Sequence, residues 1–157
     1  MKFMKNRLLT LVAVFAAALT LTAGGKEDWH TDFDQAMKVA KEEKKVLMVE
    51  FHGSDWCPPC MKLNKEVLST DAFKGIAESS LILVNADFPR KTALPEEQQA
   101  HNEGLAKRFG IRGFPTVVLI NHKGEELDRV VGFPRGGLDG FLAFLEDHVP
   151  GAETTGG

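Results

Sequence analysis

Short apolar runs recur along the chain, separated by longer segments in which apolar and polar residues alternate at helical spacing. Three of these runs are four residues long and contain β-branched side chains: Val46–Val49, Leu81–Val84 and Val117–Ile120. Runs of this length and content are typical of strands covered on both faces, as in a parallel sheet. Residues 121–124, which follow the third run, have the composition of a hairpin turn. We therefore predict that Leu127–Val131 pairs back with this run in antiparallel orientation.

The segments between and around these runs predict five helices. From Phe33, apolar residues recur at the i, i+3, i+4, i+7 spacing of one buried face, so we expect a helix capped by Thr31 that ends near Lys45. The other helices are predicted from Pro58 to about Leu68, from Ser69 or Thr70 through Ala77, from Pro95 or Glu96 to Phe109 with Gly110 as C-cap, and from Leu138 to a stop at Pro150. Helices that alternate with buried strands predict an α/β fold with a central mixed sheet, helices on both faces and a right-handed parallel crossover between the first two strands.

The N-terminal residues have the pattern of an export signal. Met1–Arg7 carries three basic residues and no acid, Leu8–Leu21 carries no charge, and small residues follow. This order is typical of a signal peptide, and the uncharged stretch is shorter than the about 20 residues that span a bilayer. We therefore expect residues 1–23 to be a signal peptide removed after Ala23, with a retained membrane anchor as the alternative. The protein is then exported, and the signal is of a bacterial, periplasmic kind.

Length and charge limit what the rest of the chain does. The 157 residues leave room for one domain, which we assign to 24–150, followed by a flexible tail at 151–157. The net charge of −3 becomes −6 when the three basic residues of the signal peptide are removed. An acidic domain without a basic patch has no electrostatic reason to bind nucleic acid or anionic lipid. We expect a monomer without a cofactor that contacts the membrane only through its signal peptide.

Both cysteines of the chain lie in one short motif, Cys57-Pro58-Pro59-Cys60. A structural disulfide stabilises most when it closes a long loop, and this pair closes almost none. In an exported protein the pair is better explained as a redox couple. Zinc ligands share this spacing, but no second cysteine pair is present to complete a tetrahedral site, so we predict no metal site.

The segment Trp56–Cys60 follows a buried strand and opens a helix, and Arg112–Thr116 lies directly before another buried strand. In these two segments the chain resembles the thioredoxin family, with the second segment similar to the cis-proline loop of that family. The resemblance covers about Trp29 to Val149 and is closest to exported thioredoxin-like proteins related to the soluble domains of transmembrane electron-transfer systems. It implies a thioredoxin-like fold with a four- to five-stranded sheet and the active site at the end of a central strand.

The resemblance also implies roles for the two cysteines and the cis-proline loop. Cys57 is the expected nucleophile, because unpaired N–H groups and the positive end of the helix dipole favour its thiolate. Cys60, one turn on, is expected to resolve the mixed disulfide. Pro115 is expected to be cis and to lie against the cysteines, so that the backbone of Phe114 pairs with an extended substrate segment. The alternative is an ordinary trans proline that starts a strand.

The resemblance and the sequence also suggest roles for two further residues, Glu50 and Trp56. Glu50 aligns with the buried acid of the family, whose raised pKa suits it to accept the proton of Cys60 during resolution; the alternative is an exposed carboxylate at the sheet edge. Trp56 is expected to form an apolar wall beside the thiols that contacts substrates, or simply to pack. We interpret Arg90 and Lys91 as solvated charges and assign Asp55 no role.

Two departures from the family matter. The segment from Asp87 to Asn102 is longer than in a minimal thioredoxin and is a candidate for reshaping the rim of the substrate groove or forming a partner surface. Pro-Pro stands where thioredoxin has Gly-Pro, which leaves the redox potential and the direction of electron flow open. We predict an extracytoplasmic oxidoreductase that reduces protein disulfides and receives electrons from a membrane-bound or soluble redox partner. A thiol oxidase or disulfide isomerase acting on protein dithiols or disulfides is the first alternative. A chaperone or metal-transfer module holding a soft ion such as Cu(I) on the cysteines is the second.

Overall fold

The central sheet has four strands, and helices cover both of its faces. A computed structural model describes residues 29–152 of the chain. In chain order the elements are α1 (Phe33–Glu43), β1 (Val46–His52), α2 (Pro58–Leu63), a π-helical turn (Asn64–Leu68), α3 (Asp71–Ser80), β2 (Leu81–Asp87), α4 (Glu96–Arg108), β3 (Thr116–Ile120), β4 (Glu126–Val131) and α5 (Gly137–His148). The α/β class and the thioredoxin-like fold predicted from the sequence are confirmed.

The strands lie in the order β2-β1-β3-β4, so β1 is central. It pairs parallel with β2 and antiparallel with β3, and Val49 stands beside Val84 on one side and Val118 on the other. β3 and β4 form the predicted antiparallel hairpin. The mixed sheet, its parallel first pair and its terminal hairpin are therefore all confirmed, with the strand count at the lower end of the expected range.

Alternation of side chains along β1 divides the core into two layers, because successive residues of a strand point to opposite faces. Val46 and Met48 pack with α2, α3 and α5. Leu47, Val49 and Phe51 pack on the other face, with α1 and α4. The next residue in the Val46 and Met48 series is Glu50, so the pleat places this carboxylate on the same face as the helix that begins with the cysteine motif.

The ends of α1 differ from the prediction. Asp32, rather than Thr31, is the N-cap, and its Oδ1 accepts the N–H of Gln35 at 3.0 Å. Both residues are N-cap formers, but Asp is favoured over Thr at this position and stands directly before the first buried residue, Phe33. The helix ends at Glu43 because Lys44 adopts a left-handed conformation with φ 55°.

The helix that follows the cysteines is not a single α-helix to Leu68. α2 ends at Leu63, and the chain continues as a π-helical turn in which the N–H of Ser69 donates to the carbonyl of Asn64 at 2.9 Å. A π-turn is wider than an α-turn by one residue. Val67 and Leu68, the last two residues of this turn, are both buried in the core.

The C-terminal end of α4 follows the prediction for Gly110, which has φ 61°. The N–H of Ile111 donates to the carbonyl of Ala106 and that of Gly110 to Lys107, the two hydrogen bonds of a Schellman motif. This end directs the chain from α4 toward the Arg112–Thr116 segment.

The predicted terminal segments lie largely outside the described residues. The signal peptide assigned to residues 1–23 and positions 153–157 of the tail are not part of residues 29–152. Ala152 is 1% exposed and packs against the α5 side of the core, so the first two residues assigned to the tail have fixed positions. Within 29–152, none of the helices has the length and apolar character needed to cross a bilayer.

Candidate active site

The two cysteines are joined in a disulfide where β1 gives way to α2. The sulfur–sulfur distance is 2.03 Å, and Cys57 is the N-cap of α2 while Cys60 lies in its first turn. Cys57 is 3% exposed and Cys60 is 1% exposed. The oxidised pair as a whole is therefore well shielded.

Two prolines limit the N–H groups available to Cys57. Pro58 and Pro59 fill the first two helical positions, and proline has no backbone N–H. In the first turn, the N–H groups of Cys60 and Met61 both lie 3.1 Å from the carbonyl oxygen of Cys57. The helix start thus offers the Cys57 sulfur fewer backbone donors than the sequence analysis expected.

The turn before the cysteines is shaped by Gly53 and Trp56. The N–H of Cys57 donates to the carbonyl of Gly53 at 3.1 Å. A Cβ atom on Gly53 would lie 2.4 Å from the Trp56 indole, so only glycine allows the ring this position. The indole N–H donates to the carbonyl of Phe88 at 2.7 Å, which fixes the ring plane. The sequence analysis did not single out Gly53, although its place in the turn was visible.

The Phe114–Pro115 bond is cis, as predicted. Pro115 is buried directly before β3, where Thr116 pairs with Phe51 near the end of β1. The Phe114 ring meets Trp56 edge-on with centroids 5.9 Å apart, which places this segment beside the cysteine motif. The structure therefore brings together Trp56, Phe114 and Pro115 at the end of the sheet where α2 begins.

Glu50 is buried on the α2 face of β1. It is 3% exposed, and its Oε1 atom has no hydrogen-bond partner among the described residues. Burial raises the pKa of the Glu50 carboxyl above its ordinary value; nearby His52 opposes the shift and Asp87 adds to it. The alternative of an exposed carboxylate at the sheet edge is wrong, because the strand continues two residues beyond Glu50 and the helices cover that face.

The start of the long segment after β2 is tied to the cysteine motif. Asp55 accepts the backbone N–H of Arg90 at 2.9 Å through Oδ1, and those of Lys91 and Thr92 at 2.7 and 3.0 Å through Oδ2. These bonds, that of Arg90 foremost, lower the pKa of the Asp55 carboxyl. We call residues 88–92 the clamped loop. Asp55 thus has a structural role that the sequence analysis did not assign.

The clamped loop also covers the aromatic ring next to Cys57. The Arg90 guanidinium lies 3.5 Å from the Trp56 ring centroid, and the Phe88 ring lies 5.0 Å from Phe114. Arg90 remains exposed on its outer side. The interpretation of Arg90 as a merely solvated charge is wrong, because it stacks on the residue that precedes the nucleophile candidate.

Comparison with known proteins shows the family. The model of the thioredoxin-like domain family matches residues 33–147. The chain belongs to the thioredoxin-like family. A curated relative in this family, the disulfide bond reductase DsbH of Chlamydia pneumoniae, is 36% identical over 115 residues, which cover 73% of this chain and 68% of the relative.

Solved thioredoxin-like structures agree with this assignment. The structure of a DsbH oxidoreductase superposes with a TM-score of 0.72 at 31% identity and covers 91% of this chain and 93% of that one. A thioredoxin from Thermus thermophilus gives a TM-score of 0.57 at 28% identity, covering 76% and 84%. The thioredoxin-like chain is a thiol–disulfide oxidoreductase with a Cys-x-x-Cys motif. Within residues 29–152, no group of three or more His, Cys, Asp or Glu side chains is placed to hold a metal ion.

Proposed function

We propose that this thioredoxin-like chain reduces disulfides of exported proteins outside the cytoplasm, through Cys57 and Cys60. The observation that carries the proposal is the bonded cysteine pair at the start of α2, beside the cis Phe114–Pro115 segment. The direction is supported by the relative that is itself named a disulfide bond reductase. The export is supported by the signal pattern of residues 1–23.

The reaction begins with the reduced protein. The Cys57 thiolate attacks one sulfur of the substrate disulfide, a bond forms between Cys57 and that sulfur, and the other substrate sulfur leaves as a thiolate. We assign the attack to Cys57 because it is the N-cap of α2, whereas Cys60 lies within the first turn of the helix. The product of this step is a mixed disulfide between the protein and its substrate.

Resolution of the mixed disulfide requires that Cys60 lose its proton. We assign the proton to Glu50, because burial raises the pKa of this carboxyl and makes it a better base than an exposed acid. The Cys60 thiolate then attacks the Cys57 sulfur, and the second substrate sulfur leaves as a thiolate. The substrate has gained two electrons and the Cys57–Cys60 pair is oxidised.

Phe114 and Trp56 position the substrate in this proposal. Within residues 29–152, neither the N–H nor the C=O of Phe114 has a hydrogen-bond partner, so both remain available to an extended substrate segment. Pro115 contributes no N–H and keeps a competing side-chain donor away from the sulfurs. Trp56, whose ring plane is fixed by Phe88, forms the apolar wall on the other side.

The reduction potential of the Cys57–Cys60 couple tests the direction of electron flow. Equilibration with glutathione and dithiothreitol buffers should give a value near that of thioredoxin, about −270 mV. A value near −120 mV would instead support the thiol oxidase alternative. Titration of the reduced protein with Cu(I) tests the metal-transfer alternative, which requires tight binding that competes with disulfide exchange.

Single cysteine variants test the assignment of the two sulfurs. Cys60→Ser should accumulate the mixed disulfide with a substrate protein, whereas Cys57→Ser should form none. Trapping through Cys60 in the Cys57→Ser protein would contradict the assignment. The same adducts, isolated from a bacterial periplasm, identify the substrates and the membrane-bound or soluble partner that restores the dithiol.

Export and oligomeric state have separate tests. N-terminal sequencing of protein recovered from the periplasm should begin at Gly24, and a chain that still begins at Met1 would contradict cleavage. Light scattering of the mature protein should give the mass of a monomer. Both results are needed for the proposed soluble, extracytoplasmic reductase.

A further inference from the structure

We propose that Arg90 is a specificity residue that recognises an acidic side chain next to the reacting cysteine of the substrate. This inference rests on the proposed function, since it concerns the same disulfide exchange. It adds a preference for one chemical class of partner, protein disulfides flanked by Asp or Glu. Three features of the clamped loop support it: its attachment, the geometry of the guanidinium, and the charges around it.

The clamped loop is attached to the residues directly before Cys57. Three consecutive backbone N–H groups of the loop donate to Asp55, and the carbonyl of Phe88 accepts the indole N–H of Trp56. Directly before the loop, Asp87 at the end of β2 accepts both the N–H and the hydroxyl of Ser54, at 2.9 and 2.6 Å. These contacts hold the loop in one position relative to the cysteine motif, so a side chain on the loop has a defined place at the substrate surface.

The guanidinium of Arg90 lies over the Trp56 ring, a position compatible with carboxylate recognition. Its Cζ atom is 3.5 Å from the ring centroid. Stacking occupies the face of a guanidinium and leaves its edge, with several N–H donors, available for two parallel bonds to a carboxylate. Among residues 29–152, Arg90 takes part in no ion pair. Trp56 directly precedes Cys57 in the chain, so Arg90 contacts the side chain that neighbours the reacting cysteine.

Charges around the site favour an acidic partner although the chain as a whole is acidic, with net charge −3. Lys91 is exposed next to Arg90, and Arg112 is exposed two residues before Phe114. The carboxylates of the nearby acids Asp55 and Asp87 accept hydrogen bonds from the chain itself, which engages their oxygens but does not cancel their charge. We expect an acidic flank on the substrate to meet the exposed cationic groups of Arg90, Lys91 and Arg112 rather than these engaged oxygens.

The test compares disulfide-linked peptide dimers that differ only in the residues flanking cysteine, Glu in one and Gln in the other. The reduced protein is mixed with each dimer at low ionic strength, and the released peptide thiol is measured after acid quench. Each rate is divided by the rate of the same peptide with dithiothreitol, a small reductant that also attacks as a thiolate, which removes differences in intrinsic peptide reactivity. The measured quantity is the ratio of the two normalised rates, Glu over Gln.

We expect a ratio of about five, or ~1 kcal/mol, which is the interaction of two unit charges about 4 Å apart in water. Arg90→Gln should bring the ratio close to one, and Arg90→Lys should give an intermediate value because charge remains and the planar fork is lost. Arg108→Gln is the matched control, because Arg108 is also exposed and lies over the Phe33 and Phe109 rings at 4.9 and 5.2 Å without belonging to the site. It should keep the ratio of the unsubstituted protein. Added salt should lower that ratio.

The outcomes separate the two proposals. A ratio near one in the unsubstituted protein, or a ratio unchanged by Arg90→Gln, overturns the role of Arg90 while leaving disulfide exchange in place. Failure of the reduced protein to exchange with either peptide, when dithiothreitol reacts with both, overturns the proposed function and the inference with it. Equal losses in Arg90→Gln and Arg108→Gln also overturn the role, because the effect would then not be local to the site.

Discussion

Replacement of Glu50 by Gln should stabilise the protein at neutral and alkaline pH. The carboxyl is 3% exposed, its Oε1 atom has no partner among the described residues, and burial raises its pKa. A buried polar group without a partner costs ~1–3 kcal/mol, and more when it is charged. Gln has nearly the same shape and carries no charge, although it replaces one carboxylate oxygen by an NH2 group. We therefore expect Glu50→Gln to increase the free energy of unfolding at pH 8 by ~1–3 kcal/mol.

The sign of this effect depends on pH in a defined way. Because the pKa of Glu50 is raised on folding, the folded protein binds the proton more tightly than the unfolded chain does. Below the pKa of the unfolded chain, about 4.3, both states are protonated and the charge contributes nothing. As the pH rises from there through the raised pKa, the unsubstituted protein loses stability relative to Glu50→Gln. The two proteins should therefore differ little near pH 4 and most near pH 8.

Urea unfolding of the oxidised proteins, followed by circular dichroism between pH 4 and pH 9, measures this difference. A change of ~2 kcal/mol corresponds to a midpoint shift of about 1 M urea. Glu42→Gln is the control, because Glu42 is exposed on α1 and its replacement should change stability by less than ~0.5 kcal/mol at every pH. A gain that is equal at pH 4 and pH 8, or a loss at pH 8, would refute the assignment of Glu50 as a buried carboxylate with raised pKa.

Three further substitutions test the local geometry of the site and of α1. Pro59→Ala adds an N–H at the second helical position, from which a backbone N–H donates to the side chain of the N-cap residue, here Cys57. The pKa of the Cys57 thiol should therefore fall, and the reduction potential should rise by ~30 mV. Pro58→Ala, at the first position, should change the potential far less, and equal shifts would contradict the cap geometry. Gly53→Ala should displace the Trp56 indole, shifting its N–H resonance in NMR spectra and destabilising the protein by ~1–3 kcal/mol, whereas an unmoved resonance would show that the turn accommodates a methyl group. Asp32→Ala should cost ~1 kcal/mol in thermal or urea unfolding and Thr31→Ala clearly less; the reverse order would restore Thr31 as the cap.

Three of the four described strands could be predicted because their apolar runs are short, β-branched and uninterrupted, and the fourth from the turn that precedes it. The same reasoning placed Glu50 at the end of a strand but left its burial open, since periodicity alone does not say which helix covers a carboxylate. The structure answers this through register: Glu50 follows Met48 on the face that α2 and α5 cover. The motif at Cys57 was visible in the sequence because its residues are contiguous.

Features that depend on distant segments could not be predicted. Arg90 and Asp55 are 35 residues apart, and nothing in either neighbourhood indicates that they meet. The π-helical turn Asn64–Leu68 has the apolar spacing of an ordinary helix and differs only in which residues reach the core. Thr31 and Asp32 are adjacent and both favour the N-cap position, so the sequence alone does not decide at which of them the helix begins.

The attachment of the clamped loop to Asp55 has a consequence for the exchange of backbone hydrogens with deuterium. The amides of Arg90, Lys91 and Thr92 belong to exposed residues, yet each donates to a carboxylate oxygen. Their exchange is therefore governed by local opening of this contact rather than by exposure alone. Deuterium uptake at three adjacent surface positions thus reports how often the chain beside the disulfide opens, in a part of the molecule that contains no regular helix or strand.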